Sequence, residues 1–489
     1  MVVVVGGALL LGACGCGGAA VSASASASSL SWHGCDTQFE CATLRVPVSY
    51  SDRHGPHIPI SVVELAATRP HPIGDIVFNP GGPGESGVQY LEGVSSIFPP
   101  SLRARFNLVS FDPRGSGSSK PLRCLTTAGT RAWIGVNPAP ATRRQIARVV
   151  GASRAFVRGC ERNASPNFIA SLSTANNARD IDRLRAALGQ AKLTYYGLSY
   201  GTFLGTVYAE MFPKHIRAMV LDGALDPALD AETIEAEQAA GFEVDLHDFF
   251  RWCANHSSCG FSTAPAHRYA ALLARFKRGL VIPAHLAPAY GGEEHVDYGV
   301  ALLGVIANLY SKQSWPFLGQ GLESAENGDG TNLAAAAYTY AGLNPADGSF
   351  SNILSANTAT NCLDRPAPTT VPAYRALAYR LARSAPDFGA VEAWGTLVCA
   401  YWPARAQMQP APAHAPGAPP ILVVGSTGDP ATPYAWAKAL ARQLPRATLL
   451  TRTGPGHTAY RKSSCIRAWA DRYLETRRMP PAGTVCPTD

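Results

Sequence analysis

No stretch of this sequence carries five consecutive basic residues, and its lysines and arginines are scattered. The contiguous positive footprint that a nucleic-acid partner needs is therefore missing. The formal charge of +7 is small for 489 residues, and only 16% of them are charged. No apolar run is long enough to cross a bilayer as a mature helix. Gly 46 and Pro 38 imply many turns, yet neither recurs at a fixed period, which excludes fibrous and solenoid architectures. No pair of cysteines has the two-to-four-residue spacing with a histidine partner that a zinc site requires. Neither a metal nor any other cofactor is implied.

What the chain does have is a large apolar fraction, 46%, enough for a sizeable core and an insertion in one large domain. It opens with a short apolar run, Val2 to Leu11, that ends in Leu11-Gly12-Ala13-Cys14. That pattern resembles a bacterial lipobox, in which Cys14 becomes the lipidated first residue after cleavage. The alternative is ordinary signal cleavage near Ala23-Ser24-Ala25. No lysine or arginine precedes the run, so the translation start is left open. Ser/Ala-rich sequence from Gly17 to Ser29 reads as a tether. The expectation is an exported protein, secreted or held at the cell envelope, touching a membrane only through a lipid on Cys14.

Twelve cysteines point the same way. Without Cys14 and Cys16, ten remain, and they fall into neighbours along the chain. These are Cys35 with Cys41, Cys124 with Cys160, Cys253 with Cys259, Cys362 with Cys399, and Cys465 with Cys486. An even count at local spacing suits disulfides made in an oxidising compartment, against the alternative of buried free thiols.

Ala42 to Tyr50 and Ile58 to Leu65 alternate like an opening pair of strands. Short apolar runs without alternation follow, each closed by a glycine-rich turn: Ile76 to Asn79, Leu108 to Phe111, Leu193 to Tyr196 and Ala218 to Leu221. Parallel strands covered on both faces read this way. Helical stretches such as Ala175 to Leu188 and Thr202 to Met211 lie between them. From Asp226 to about Tyr401 the pattern is mostly helical, and the strands then resume at Ile421 to Val424 and Thr448 to Leu450. The expected fold is a doubly wound, mostly parallel α/β sheet with a helical cap inserted after the sixth core strand. The expected divisions are 1–31 leader and tether, 32–225 core, 226–401 cap and 402–489 core.

Gly197-Leu198-Ser199-Tyr200-Gly201 fits G-x-S-x-G between a strand and a helix, the turn that exposes a nucleophilic serine in the α/β-hydrolase fold. Serine needs a base, and the order expected in this fold is Ser, Asp or Glu, His. Gly456-His457 follows a late strand and supplies the base. Gly428-Asp429 follows the strand before it and supplies a carboxylate to orient the imidazole. The oxyanion needs two backbone donors. Tyr200 N–H is one, and Gly82 in Asn79-Pro80-Gly81-Gly82-Pro83-Gly84 is the first choice for the other, with Gly81 second. Asp112 and Arg114 are expected to brace the neighbouring loop.

These turns, with Asp112-Pro113-Arg114-Gly115-Ser116-Gly117, Cys35 to Val48, Ser173 to Gly189 and Cys399-Ala400-Tyr401-Trp402-Pro403, resemble the tripeptidyl aminopeptidase family of actinobacteria. That family is related to prolyl aminopeptidases. The resemblance covers nearly the whole chain after the tether. It implies an exported, metal-independent exopeptidase that releases tri- or dipeptides from free N-termini. Some members are carboxylesterases, so an esterase or lipase acting on envelope esters is the alternative. A departure is Asn79, where the prolyl enzymes commonly have histidine. A peptidase of this kind must recognise a free amine, and Glu235, Glu237 and Glu243 at the start of the cap are the candidates. A solvated helix face explains them equally well. A catalytically dead peptide-binding lipoprotein is disfavoured by the complete triad, and an epoxide hydrolase or dehalogenase by serine rather than aspartate at position 199.

Overall fold

The computed structural model describes residues 30–489 except 53, 291 and 293. The leader, Cys14 and Cys16, and the tether as far as Ser29 lie outside the described residues.

Twelve strands are present among the described residues. Ten form one sheet: β1 (His33–Gly34), β2 (Glu40–Pro47), β3 (His57–Leu65), β4 (Gly74–Asn79), β5 (Phe106–Phe111), β6 (Leu193–Leu198), β7 (Ile216–Asp222), β10 (Ile421–Gly428), β11 (Ala447–Pro455) and β12 (Val485–Cys486). The other two, β8 (Leu280–Val281) and β9 (His295–Val296), pair with each other. The large sheet runs β1-β2-β3-β5-β4-β6-β7-β10-β11-β12. β1, β2 and β3 pair antiparallel, and β3 meets β5 antiparallel. Every later pairing is parallel. The expected α/β sheet is therefore present, with short β1 and β12 added at its edges.

The unbroken apolar runs are explained by the two faces of this sheet. Val77, Val109, Tyr195, Leu221 and Val423 point into one core. Their neighbours Ile76, Leu108, Tyr196, Val220 and Leu422 point into the other. Successive side chains alternate across a strand, so burying both faces leaves no polar position.

Between β7 and β10 the chain makes a helical insertion with an apolar core of its own, including Phe242, Phe249, Trp315, Leu318 and Phe388. β7 is the sixth strand of the core counted from β2, as the sequence predicts. The insertion rests on the strand ends. The amide of Asn357, in the helix Ile353–Asp364, donates from Nδ2 to the carbonyl of Pro83 (3.1 Å). The indole of Trp436 donates to Glu237 across the same junction. No described helix is long and apolar enough to cross a membrane.

All five expected disulfides form, with Cα–Cα separations from 4.0 to 5.7 Å. Cys124–Cys160 and Cys362–Cys399 close loops of 36 and 37 residues. Loops of that size are expected to stabilise by about 3–4 kcal/mol each through the entropy removed from the unfolded chain. Replacing Cys124 and Cys160 together by alanine should lower the urea unfolding free energy by roughly that amount. Peptide mapping of unreduced protein should return the same five pairs, and any crossed pair contradicts the structure.

Candidate active site

Ser199 stands between the end of β6 and the helix Tyr200–Met211, with φ 54° and ψ −127°. This is a region that residues other than glycine rarely occupy, and it costs on the order of 1–3 kcal/mol. Three bonds hold it. The Ser199 N–H donates to the carbonyl of Asp222 at 2.9 Å, and the Ser199 carbonyl accepts from Thr202 N–H (2.8 Å) and Thr202 Oγ1 (2.6 Å). The glycines two positions either side are required by contact. A Cβ on Gly197 would lie 2.3 Å from the carbonyl oxygen of Gly201, and one on Gly201 would lie 2.7 Å from that of Asn79. Strand and helix therefore nearly touch, and the serine is pushed outward at the rim.

The turn after β4 lies against this elbow. A Cβ on Gly81 would be 3.1 Å from Ser199 Cβ and 3.2 Å from Tyr200 N. Asn79 is fully buried, and its Oδ1 accepts the Gly81 N–H at 3.1 Å, an Asx turn that fixes the loop. That bond engages only Oδ1, and the Nδ2 of Asn79 is buried with no hydrogen-bond partner among the described residues. Gly82 follows on the exposed side of the same turn. Tyr200 N–H, at the first position of its helix, belongs to the turn whose donors have no acceptor within the helix.

Asp429 follows β10, and His457 comes two residues after β11. His457 Nδ1 lies 2.8 Å from Asp429 Oδ1 and 3.0 Å from Oδ2. Asp429 Oδ1 also accepts the N–H groups of Ala431 (3.1 Å) and Thr432 (2.8 Å), and Oδ2 that of Thr458 (3.0 Å). Burial alone would raise this carboxyl. The charge and hydrogen bond of His457, with the Thr432 and Thr458 amides, outweigh burial and hold it below the ordinary carboxylate range. Thr432 Oγ1 approaches Nδ1 at 3.3 Å.

The imidazole is fixed from the backbone as well. His457 N–H donates to the Tyr310 carbonyl of the insertion at 2.9 Å, and the two rings meet edge to face at 5.5 Å. Lys462 Nζ donates to the His457 carbonyl. Arg452, fully buried, donates from Nη2 to the carbonyls of Pro455 (2.9 Å) and Gly456 (2.7 Å). The link to the serine runs through the end of β7. A Cβ on Gly223 would lie 3.3 Å from His457 Cε1, and the preceding residue, Asp222, carries the Ser199 N–H.

Of the three glutamates singled out in the sequence, each has a different neighbour. Glu237 accepts from the Trp436 indole. Glu243 accepts Asp387 N–H at 3.1 Å and faces His247 Nε2 at 3.8 Å. Glu235 is buried and shares a side-chain hydrogen bond with Glu392. Burial, then the neighbouring Glu392, raises Glu235, and burial raises Glu392. Glu392 is close enough to act electrostatically on Tyr310 and Tyr340, whose hydroxyls are 3.1 Å apart. Glu85, one residue past the Gly81–Gly84 turn, also acts electrostatically on Tyr340 and is itself pushed up to about 7 by burial. Glu392, Glu85, Tyr310 and Tyr340 have no motif around them, and sequence reading passed over them. The expected brace is present: Asp112 accepts from Ser86 Oγ (2.6 Å), Val88 N–H (3.1 Å) and Ser118 N–H (2.7 Å), and Arg114 pairs with Asp180 at 2.6 Å, both buried.

The strain at position 199 is testable without any assay of activity. Ser199→Gly should be more stable than Ser199→Ala by about 1 kcal/mol, because only glycine adopts this backbone freely. Urea unfolding of the two variants checks it, and an alanine variant equal to or above the glycine variant contradicts the strain.

Residues 385–486 match the family described as TAP-like protein. The chain is 36% identical to serine protease Hip1 of Mycobacterium tuberculosis over 462 residues, 91% of this chain and 87% of that protein. It is also 36% identical to carboxylesterase B of the same organism over 476 residues, 93% and 89% of the two chains. Tripeptidyl aminopeptidase of Streptomyces lividans is 29% identical over 482 residues, 94% and 87% of the two. With the strand order, the serine elbow and this extent of similarity, the chain belongs to the TAP-like, tripeptidyl aminopeptidase family of α/β-hydrolase enzymes.

Proposed function

We propose that this enzyme is an exported serine exopeptidase that releases tri- or dipeptides from free N-termini through Ser199, His457 and Asp429. The observation that carries the reading is the strained Ser199 elbow, joined through the end of β7 to a histidine whose Nδ1 is engaged by a buried carboxylate. His457 Nδ1–H donates to Asp429, which leaves Nε2 free to take the proton from Ser199 Oγ as that oxygen attacks the scissile carbonyl. The oxyanion is received by Tyr200 N–H and a backbone donor of the Gly81–Gly82 turn, Gly82 first. His457 returns the proton to the leaving amine, an acyl-enzyme remains on Ser199, and water activated by the same histidine releases the acid.

The insertion from 226 to 401 acts as the cap between core segments 32–225 and 402–489. The Glu235–Glu392 pair takes the substrate ammonium. Two carboxyl groups in contact hold one proton between them, so the pair receives a cation by releasing it. Glu237 and Glu243, already engaged with Trp436 and Asp387, are secondary candidates. The peptidase names of Hip1 and of the Streptomyces relative support a peptide substrate, and five disulfides support export. Lipidation of Cys14 remains part of the same proposal, with the membrane reached only through that anchor.

Ser199→Ala should abolish turnover and labelling by a fluorophosphonate probe with the fold retained, and equal labelling of both proteins refutes the nucleophile. Acetylating the N-terminus of a good peptide substrate should lower kcat/KM by at least about a hundredfold, as expected when a buried charge loses its partner. Glu392→Gln should raise KM for free peptides while sparing simple esters. In the parent, KM for free peptides should fall as pH rises, because Glu392 ionises above the ordinary range near ~4.3, until the peptide amine itself deprotonates near ~7.7. The variant, left with Glu235 alone, should show a shifted dependence. Esters hydrolysed far faster than every peptide would instead establish the esterase reading, which the carboxylesterase B relative favours.

A further inference from the structure

Three consecutive amides follow His457, and two buried carboxylates share them. Thr458, at φ 60°, turns the chain, and its N–H goes to Asp429. The next two go to Asp222, at the end of β7. Ala459 N–H reaches Oδ1 at 2.9 Å and Oδ2 at 3.2 Å, and Tyr460 N–H reaches Oδ2 at 2.9 Å. Tyr196 O–H adds a bond to Oδ2 at 3.2 Å. Asp222 is fully buried, and everything touching its carboxylate is a donor. Its main chain meanwhile accepts the Ser199 N–H at 2.9 Å.

A single residue on a central strand thus grips the backbone of Ser199 with its carbonyl and the segment just past His457 with its side chain. β7 is bonded on both sides, to β6 and to β10, so this anchor point is rigid. Gly223, next in line, leaves room for the imidazole that a side chain would fill. We infer that Asp222 is a positioning residue that sets the spacing between Ser199 and His457 by fastening both to one strand end. The inference rests on the proposed Ser199–His457 reading. Asparagine cannot replace the carboxylate, because whichever oxygen becomes the NH2 group then faces an amide N–H. A drift of the imidazole by about 1 Å costs on the order of a hundredfold in rate, so a modest slackening of the segment is visible in turnover.

The experiment compares Asp222→Asn with Tyr196→Phe. Both remove a hydrogen bond from the same buried cluster, so both should lower Tm, but only the first loosens the segment after His457. Asp222→Asn should lose at least about tenfold in kcat with KM within about twofold, and Tyr196→Phe should keep kcat within about twofold. An Asp222→Asn protein with parental kcat, or equal kcat losses in the two variants, overturns the inference. Ser199→Ala is run beside them: if it still turns over, the reading beneath falls and this inference falls with it. If Ser199→Ala is dead while Asp222→Asn is fully active, only the role of Asp222 fails. Should Asp222→Asn not fold, hydrogen exchange of the parent decides. The Ala459 and Tyr460 amides should be protected as strongly as those of residues 218–221, and fast exchange at these two refutes the anchor.

Discussion

The constraint on which the rest depends is the near contact of β4, β6 and the helix Tyr200–Met211 around Ser199. Backbone meets backbone there with no room for a Cβ at positions 197 or 201. The serine is left in a conformation that its own side chain disfavours. Strain of this kind persists only where neighbours over-determine the geometry. Here the Asp222 carbonyl and Thr202 do so from one side, and the Asn79–Gly81 turn from the other. Once that elbow is fixed, a carbonyl placed at Ser199 has only a narrow set of orientations, and the turn that could receive its oxygen is already in place.

Electrostatics divide four of the carboxyl groups into two kinds, whereas burial raises Asp222 although donors surround it. Asp429 is surrounded by donors and a histidine, and although burial acts against it, these partners keep it ionised. Glu235 and Glu392 in the insertion have chiefly each other, with Arg365 acting on Glu235, and like Glu85 beside the elbow they are pushed upward by burial. The first kind suits a permanent orienting charge. Lysine and arginine near the histidine serve a different purpose. Arg452 and Lys462 spend their protons on carbonyls of residues 455–457, and Arg452 adds Ser426 Oγ at 2.9 Å. They fix a loop, and both lie within electrostatic range of Asp429 and Asp222.

Legibility in the sequence followed the distance over which each feature is specified. The elbow, the Gly81–Gly84 turn and the strand ends at Asp429 and His457 are local patterns, each carried by a few consecutive residues with a steric reason. The strands are legible because burial on two faces removes polar positions, although the two-residue edges β1 and β12 carry no such pattern. Cysteine pairs are legible because each joins cysteines that are consecutive among the ten along the chain. Glu392 is not. Its meaning comes from contact with Glu235, 157 positions earlier in the chain (392 minus 235), and no local pattern announces a pair of carboxyls. Tyr310 was equally silent, since what it offers is a main-chain carbonyl, which every residue has. Of the glutamates read from the helix Ala231–Ala254, only Glu235 is paired with a carboxyl in electrostatic range of Tyr310, and that selection is made by tertiary packing.

The bond from His457 N–H to the Tyr310 carbonyl has a bearing on motion. Many hydrolases gain access to a covered site by swinging a lid on hinges, with the chemical groups waiting undisturbed beneath. Here the helix Tyr298–Leu309 ends on the backbone of the histidine itself. Moving that end by even an ångström beyond its 2.9 Å contact takes the acceptor away and frees one side of the imidazole's support. Displacing Tyr310 and loosening His457 would be one event. Motion of this helix end is therefore coupled to the histidine, and the two are held in place together.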